Sequence, residues 1–343
     1  MTGSYTALIT PFSDGAVDYE GLSRLVDFQI ESGITGLLAV GTTGESPSLT
    51  WNEHNTLIES VIKKAKGKCF CIAGTGSNNT KEAIEATKHA ADAGADAVLL
   101  VDPYYNGPSS LEIRREYIAP VAKAFPDVQV VPYIIPGRTG TQLLPEDLAL
   151  LSREFKNVST VKEATGNIEN MRRTRECCGP DFTILSGDDG MTFKMMADPG
   201  VKASGVVSVA SNIAPRAVAD MVRLFSDGDT VAAQKIADAL APLFGIIMVK
   251  TTETSSYGDV MFRARNPLPA KALMSVLGMP SGGCRQPLGK LTQNALETVL
   301  SAARKIQENN PEIFRPLADF FGMDIEERLN TPANWEELCY KAY

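Results

Sequence analysis

Residues 128–164, VQVVPYIIPGRTGTQLLPEDLALLSREFKNVSTVKEA, hold two apolar, β-branched runs with a helical stretch between them. The runs start at Val128 and Val158, 30 residues apart, which suits one strand, one helix and two short loops. The same spacing continues outward on both sides. Runs also start near Tyr5, Thr35, Cys69 and Asp96, and near Phe182 and Ala203, at intervals of 21 to 34 residues. Strand alternating with helix imposes crossover connections and hence a parallel sheet. Eight such units predict an α/β fold closed into a TIM (β/α)8 barrel. An open dinucleotide-binding sheet would place G-x-G-x-x-G at its first strand–helix turn. The nearest stretch, Gly74-Thr-Gly76-Ser-Asn-Asn, follows the third run and lacks the third glycine. No G-x-x-x-x-G-K-[ST] is present either.

Helix punctuation agrees. Thr50-x-x-Glu53 and Ser109-x-x-Glu112 are capping boxes, in which hydroxyl and carboxylate satisfy amides left orphaned at a helix start. Gly33 and Gly94 follow helical patterns and suit the left-handed position past a helix end. After about residue 226 the alternation stops. Residues 229–249, 267–278 and 290–308 read as helices, and Lys250 to Arg265 reads as a polar loop interrupting them. The predicted division is a catalytic barrel over 1–226, a C-terminal helical domain over 227–308 and an acidic tail over 309–343, docked on the body or on a neighbouring subunit.

The chain has 343 residues, 44% of them hydrophobic, which is ample for a large core. Its 33 basic and 41 acidic residues give a net charge of -8, and the tail contributes half of it. No basic stripe marks a nucleic-acid surface. The opening MTGSYTALITPF lacks a basic n-region, and no apolar run approaches bilayer length. Six cysteines, none in C-x-x-C spacing, read as reduced thiols of a cytoplasmic protein. With only His54 and His89, metal sites built from several imidazoles are disfavoured, and no metal is expected.

Side chains at the C-terminal ends of barrel strands face the active site. Those ends carry Gly41-Thr42-Thr43-Gly44-Glu45, Tyr104-Tyr105-Asn106, Tyr133 through Arg138, Lys162-Glu163 and Ser186-Gly187-Asp188-Asp189. Lys162 sits among small and apolar neighbours, where a permanent ammonium is costly. The chemistry open to such a lysine is Schiff-base formation with a carbonyl. Holding an ordinary lysine neutral at pH 7 costs about 4.6 kcal/mol, so burial must lower its pKa. Hydroxyls of Tyr133, Thr42 and Tyr105 are the available proton shuttles; the plainer reading is that they pack structurally. The Arg138 fork suits a carboxylate, or else a loop salt bridge. The Gly41–Gly44 turn offers amides and hydroxyls to another anion.

In this order the motifs GTTGE, YYN, Y-x-x-P-x-R-T-G, V-K-E-A and SGDD resemble the dihydrodipicolinate synthase members of the pyruvate Schiff-base lyase family, which includes N-acetylneuraminate lyase. The likeness covers most of residues 1–305, from Thr10-Pro11-Phe12 to Val206-Val207-Ser208 and again at Asn266-Pro267-Leu268-Pro269. It implies that Lys162 forms an imine with pyruvate, with no other cofactor. The resulting enamine adds to aspartate semialdehyde, giving 4-hydroxy-tetrahydrodipicolinate for lysine biosynthesis. Tyr133 would move protons through Thr42 to Tyr105, the last reaching in from a partner subunit of a dimer of dimers. Thr43 would hold the pyruvate carboxylate, helped by Gly187 and Val206, and Arg138 the carboxylate of the second substrate. Ser46, Trp51, His54, Asn78, Glu82 and Tyr104 fall on the family's site for the feedback inhibitor lysine. The rival activity is an aldolase cleaving N-acetylneuraminate or a 2-keto-3-deoxy sugar acid, and a non-catalytic binding barrel is the alternative of another class. Ile134 departs from the asparagine usual after the tyrosine, the loop from Lys250 to Arg265 lengthens the helical domain, and the tail from 309 onward has no counterpart in shorter members.

Overall fold

A computed structural model describes residues 1–343, which condense into two compact units. The first comprises 1–5, 35–41 and 54–208; the second comprises 6–34, 42–53 and 209–343.

The first unit carries the barrel except for Thr6 and Ala7, the last two residues of its opening strand. Its strands are β1 (Gly3–Ala7), β2 (Gly36–Ala39), β3 (Phe70–Gly74), β4 (Ala97–Val101), β5 (Gln129–Ile134), β6 (Thr160–Glu163), β7 (Thr183–Ser186) and β8 (Gly205–Ser208). Each pairs with the next in sequence, and β8 returns to β1, so the sheet closes without edges. The strands are short and almost wholly buried, which matches their unbroken apolar character. All eight predicted runs are strands, each within two residues of its expected start. At the closing seam the backbones nearly touch. A Cβ on Gly205 would lie 1.8 Å from the Gly3 carbonyl oxygen, and its φ of 149° disfavours any other residue.

The predicted caps also form. Thr50 N–H donates to Glu53 Oε2 at 2.9 Å, and Glu53 N–H returns the bond to Thr50 Oγ1 at 3.3 Å. Ser109 and Glu112 make the same reciprocal pair. Gly33 and Gly94 take φ of 80° and 95°.

In the second unit, the Tyr19–Glu31 helix buries Leu22, Leu25, Val26 and Phe28. Helices follow over Pro215–Ser226, Thr230–Gly245, Leu268–Val276 and Gln293–Asn309. The segment expected as a polar loop is instead an antiparallel hairpin, β9 (Met248–Ser255) and β10 (Gly258–Arg265). Its inward face includes Val249, Ala264 and Glu253. Glu253 is accepted there because Thr251, Thr292 and Asn294 all donate to it, at 2.6, 2.7 and 2.9 Å. A buried carboxylate held this way disguises the strand as loop.

The tail docks on the second unit itself. Its Phe320 and Phe321 rings lie 5.3 and 5.2 Å from Phe28, and Arg24 stacks over Phe321. Arg328 donates to the carbonyls of Val276 and Ser275, and Tyr340 N–H to that of Leu291 at 2.8 Å. No helix is long and apolar enough to cross a membrane.

Candidate active site

The strand register brings two of the expected residues together. Tyr133 of β5 lies directly opposite Lys162 of β6, so their side chains share one face. The Lys162 ammonium sits 4.0 Å from the centroid of the Tyr133 ring. Both are buried, at 5% and 4% exposure. Burial lowers the Lys162 pKa to about 7, opposed by the Asp189 carboxylate and assisted by the Arg138 guanidinium. Near neutral pH this amine is therefore about half unprotonated and able to add to a carbonyl.

Gly187 follows β7 and faces the same lysine. A Cβ there would stand 3.1 Å from both Cγ and Cε of Lys162 and 3.0 Å from the Ala164 Cβ. Any larger residue would press on the Lys162 side chain. This role for Gly187 is one the sequence did not disclose, because it depends on the register of Lys162 with Leu185. Asp189, unlike Gly187, lies outside the set of residues expected to carry a role. It is 4% exposed, and buried Ser208 of β8 donates to its Oδ1. The SGDD run held both aspartates, of which Asp188 is exposed and Asp189 is turned inward.

Arg138 occupies the short helical turn Pro136–Thr139 after β5 and is exposed. The turn is tied down by Thr139 Oγ1, which donates to the carbonyls of Ile135 and Thr141. Val206 is fully buried in β8, opposite Ser186. Tyr105 stands 88% exposed. In the second unit Thr43 is 3% exposed and accepts from Asn266 Nδ2 at 2.9 Å, whereas Thr42 is half-buried.

On the opposite face of these strands lie two buried carboxylates. Glu163, beside Lys162 in sequence, accepts from Thr165 N–H at 2.8 Å and Asn170 Nδ2 at 3.3 Å, and burial raises its pKa. Asp102, just past β4, is wholly buried. Its Oδ2 accepts from Leu143 N–H at 3.1 Å, and its Oδ1 has no protein partner. Burial pushes the Asp102 carboxyl up to about 7; the Leu143 amide opposes this and Glu163 adds to it. Ile134, opposite Glu163 in the register, has no polar atom to offer either group.

Among the residues expected around an inhibitor, Asn78 Oδ1 accepts from Tyr104 N–H at 2.6 Å, and Glu82 Oε2 accepts from Ser77 Oγ at 2.6 Å. His54 is 3% exposed, and burial lowers its pKa. Trp51 is 47% and Tyr104 40% exposed, and Ser46 is half-buried.

A lysine of lowered pKa against a tyrosine in a closed barrel is the constellation expected of Schiff-base lyases. The sequence profile of the Dihydrodipicolinate synthetase family matches residues 1–306. The chain belongs to that family. Among its relatives, the 4-hydroxy-tetrahydrodipicolinate synthase of Nitratidesulfovibrio vulgaris (strain DSM 19637 / Miyazaki F) is 40% identical over 304 residues, 88% of this chain and 98% of the relative. The solved 4-hydroxy-tetrahydrodipicolinate synthase of the methanotroph Methylacidiphilum fumariolicum SolV superposes with a TM-score of 0.83 at 35% identity, covering 92% of this chain and 99% of that one. The enzyme of Cyanidioschyzon merolae, solved with lysine bound, gives 0.80 at 37% identity, over 89% and 98%. The family profile ends at residue 306, short of the tail.

Proposed function

We propose that this chain condenses pyruvate with aspartate semialdehyde to 4-hydroxy-tetrahydrodipicolinate, a step of lysine biosynthesis. The observation that carries the proposal is Lys162, buried against Tyr133 with its pKa lowered to about 7, in a barrel of this family.

The neutral Lys162 amine adds to the ketone of pyruvate, and the adduct loses water to give an imine. Loss of a methyl proton converts the imine to an enamine, with no external cofactor. The enamine carbon attacks the aldehyde carbon of the second substrate, whose oxygen takes up a proton. The amine of that substrate then displaces Lys162 and closes the ring, which restores the free lysine. Tyr133 carries the protons, relayed by Thr42 and by Tyr105. The exposure of Tyr105 supports its donation to a partner subunit's site in a homo-oligomer. Thr43 holds the pyruvate carboxylate, with Val206 and Gly187 assisting through backbone groups, and Arg138 holds that of the semialdehyde.

Reduction with borohydride in the presence of pyruvate should fix a three-carbon adduct on Lys162, located by peptide mass spectrometry. Failure to modify Lys162 would sink the mechanism. Parallel assays with aspartate semialdehyde, N-acetylneuraminate and 2-keto-3-deoxy sugar acids decide between synthase and aldolase.

Feedback by lysine is a second proposal, supported by the lysine-bound relative, with Glu82 and Asn78 among the residues expected to line its site. An unchanged rate in millimolar lysine would remove it.

A further inference from the structure

In the second unit, the turn Thr42–Glu45 is locked from several sides. Glu45 takes a φ of 57°, a left-handed conformation that a non-glycine residue keeps only when its surroundings hold it. Its carboxylate pairs with Lys271 at 2.7 Å, and each side chain is only 1% exposed. The other two ammonium protons go to the carbonyls of Thr10 and Gly283, both at 2.9 Å. Arg285 N–H donates to Glu45 Oε2 at 2.8 Å, and Thr10 Oγ1 to the Gly44 carbonyl at 2.7 Å. All three Lys271 protons are thus engaged, so this second buried lysine is a brace rather than a nucleophile. Within that frame Asn266 Nδ2 donates to Thr43 Oγ1 at 2.9 Å, with both residues buried.

A threonine hydroxyl has one proton and two lone pairs. An amide N–H engaging one lone pair leaves the proton to be given to another acceptor. The geometry points to Asn266 as a positioning residue for the substrate: its amide occupies a lone pair of Thr43 so that the hydroxyl proton is presented to the carboxylate of a 2-keto acid. This rests on the assignment of Thr43 made above. The bond also makes the turn selective for an anion over a neutral ketone. An ionised aspartate at 266 accepts only; it takes the Thr43 proton and leaves lone pairs facing the substrate's charge.

The test traps the Lys162 adduct with borohydride at graded concentrations of pyruvate and of methyl pyruvate, which keeps the ketone and lacks the charge. Hydrogen bonds to charged groups set the expected scale. The half-saturating pyruvate concentration should rise about 30-fold in Asn266→Asp and about 3- to 10-fold in Asn266→Ala. The plateau of adduct and the methyl pyruvate curve should stay within about twofold. Thr43→Val should reproduce the alanine shift on pyruvate alone, and adding Asn266→Ala to it should change little. Asn266→Asp, isosteric with the native residue, carries the comparison with Thr43→Val should Asn266→Ala not fold, as judged by thermal melting. Equal losses for pyruvate and its ester, or additive effects of the two substitutions, would overturn the inference. Absence of any wild-type adduct would instead overturn the reading of Lys162, and this inference with it.

Discussion

Replacing Asp102 with asparagine should stabilise the protein at pH 8 and lose that advantage by pH 5. The carboxyl is pushed from an ordinary 3.8 to about 7, chiefly by burial. Three units correspond to about 4 kcal/mol of differential interaction between folded and unfolded states. A raised folded-state pKa means that the folded chain binds the extra proton. The stability this confers is complete below 3.8 and is lost as pH climbs to about 7, at roughly 1.4 kcal/mol per pH unit; above 7 it loses no more. Asparagine is isosteric, keeps an oxygen for Leu143 N–H and does not ionise. Its amide N–H groups are buried in turn, at a cost of about 1–3 kcal/mol that does not vary with pH. The net gain at pH 8 is therefore about 1–3 kcal/mol, and the variant-minus-wild-type difference should shrink by about 2–3 kcal/mol between pH 8 and pH 5. Urea unfolding of both proteins at pH 5, 6, 7 and 8 measures it. A difference that is flat across those four pH values would refute the reasoning.

Gly187→Ala should slow formation of the pyruvate adduct at least tenfold while leaving the melting temperature nearly unchanged, because the new methyl meets Lys162 Cγ and Cε; trapping kinetics and a thermal melt check both halves. With the Lys162 pKa at about 7, the trapping rate should fall about tenfold per pH unit below 6 and level off above 8, in a stopped-flow or quench series. Lys271→Met should cost about 3–5 kcal/mol by stranding the Glu45 carboxylate, and Glu45→Gln in that background should return part of it; urea unfolding of the single and double variants compares them.

The barrel was legible because its strands are buried on both faces and therefore spell short apolar runs at a regular spacing. Lys162 stood out for the same reason: a charge inside such a run calls for an explanation. The hairpin at 248–265 escaped because its inward face mixes Val249 and Ala264 with Glu253, and the hydroxyls that satisfy Glu253 include Thr292, 39 residues further along the chain. Asp102 escaped because a carboxylate before Pro103 looks like ordinary turn chemistry until the neighbouring strands enclose it. The spatial duty of Gly187 is invisible for a related reason. It arises from the pairing of two strands, a relation that no local pattern encodes.

The seam between Gly3 and Gly205 has a bearing on synthesis. Gly3 N–H is satisfied by the Ser204 carbonyl at 2.9 Å, so the first strand made must wait for one translated about 200 residues later. At 5–20 residues per second that wait lasts about 10–40 s. Throughout it, the Gly3–Ala7 segment has one edge unoccupied, a template for wrong pairing that the finished ring abolishes. The nascent barrel is thus most exposed to wrong pairing before β8 emerges, and a chaperone acting on it would find its substrate in that interval.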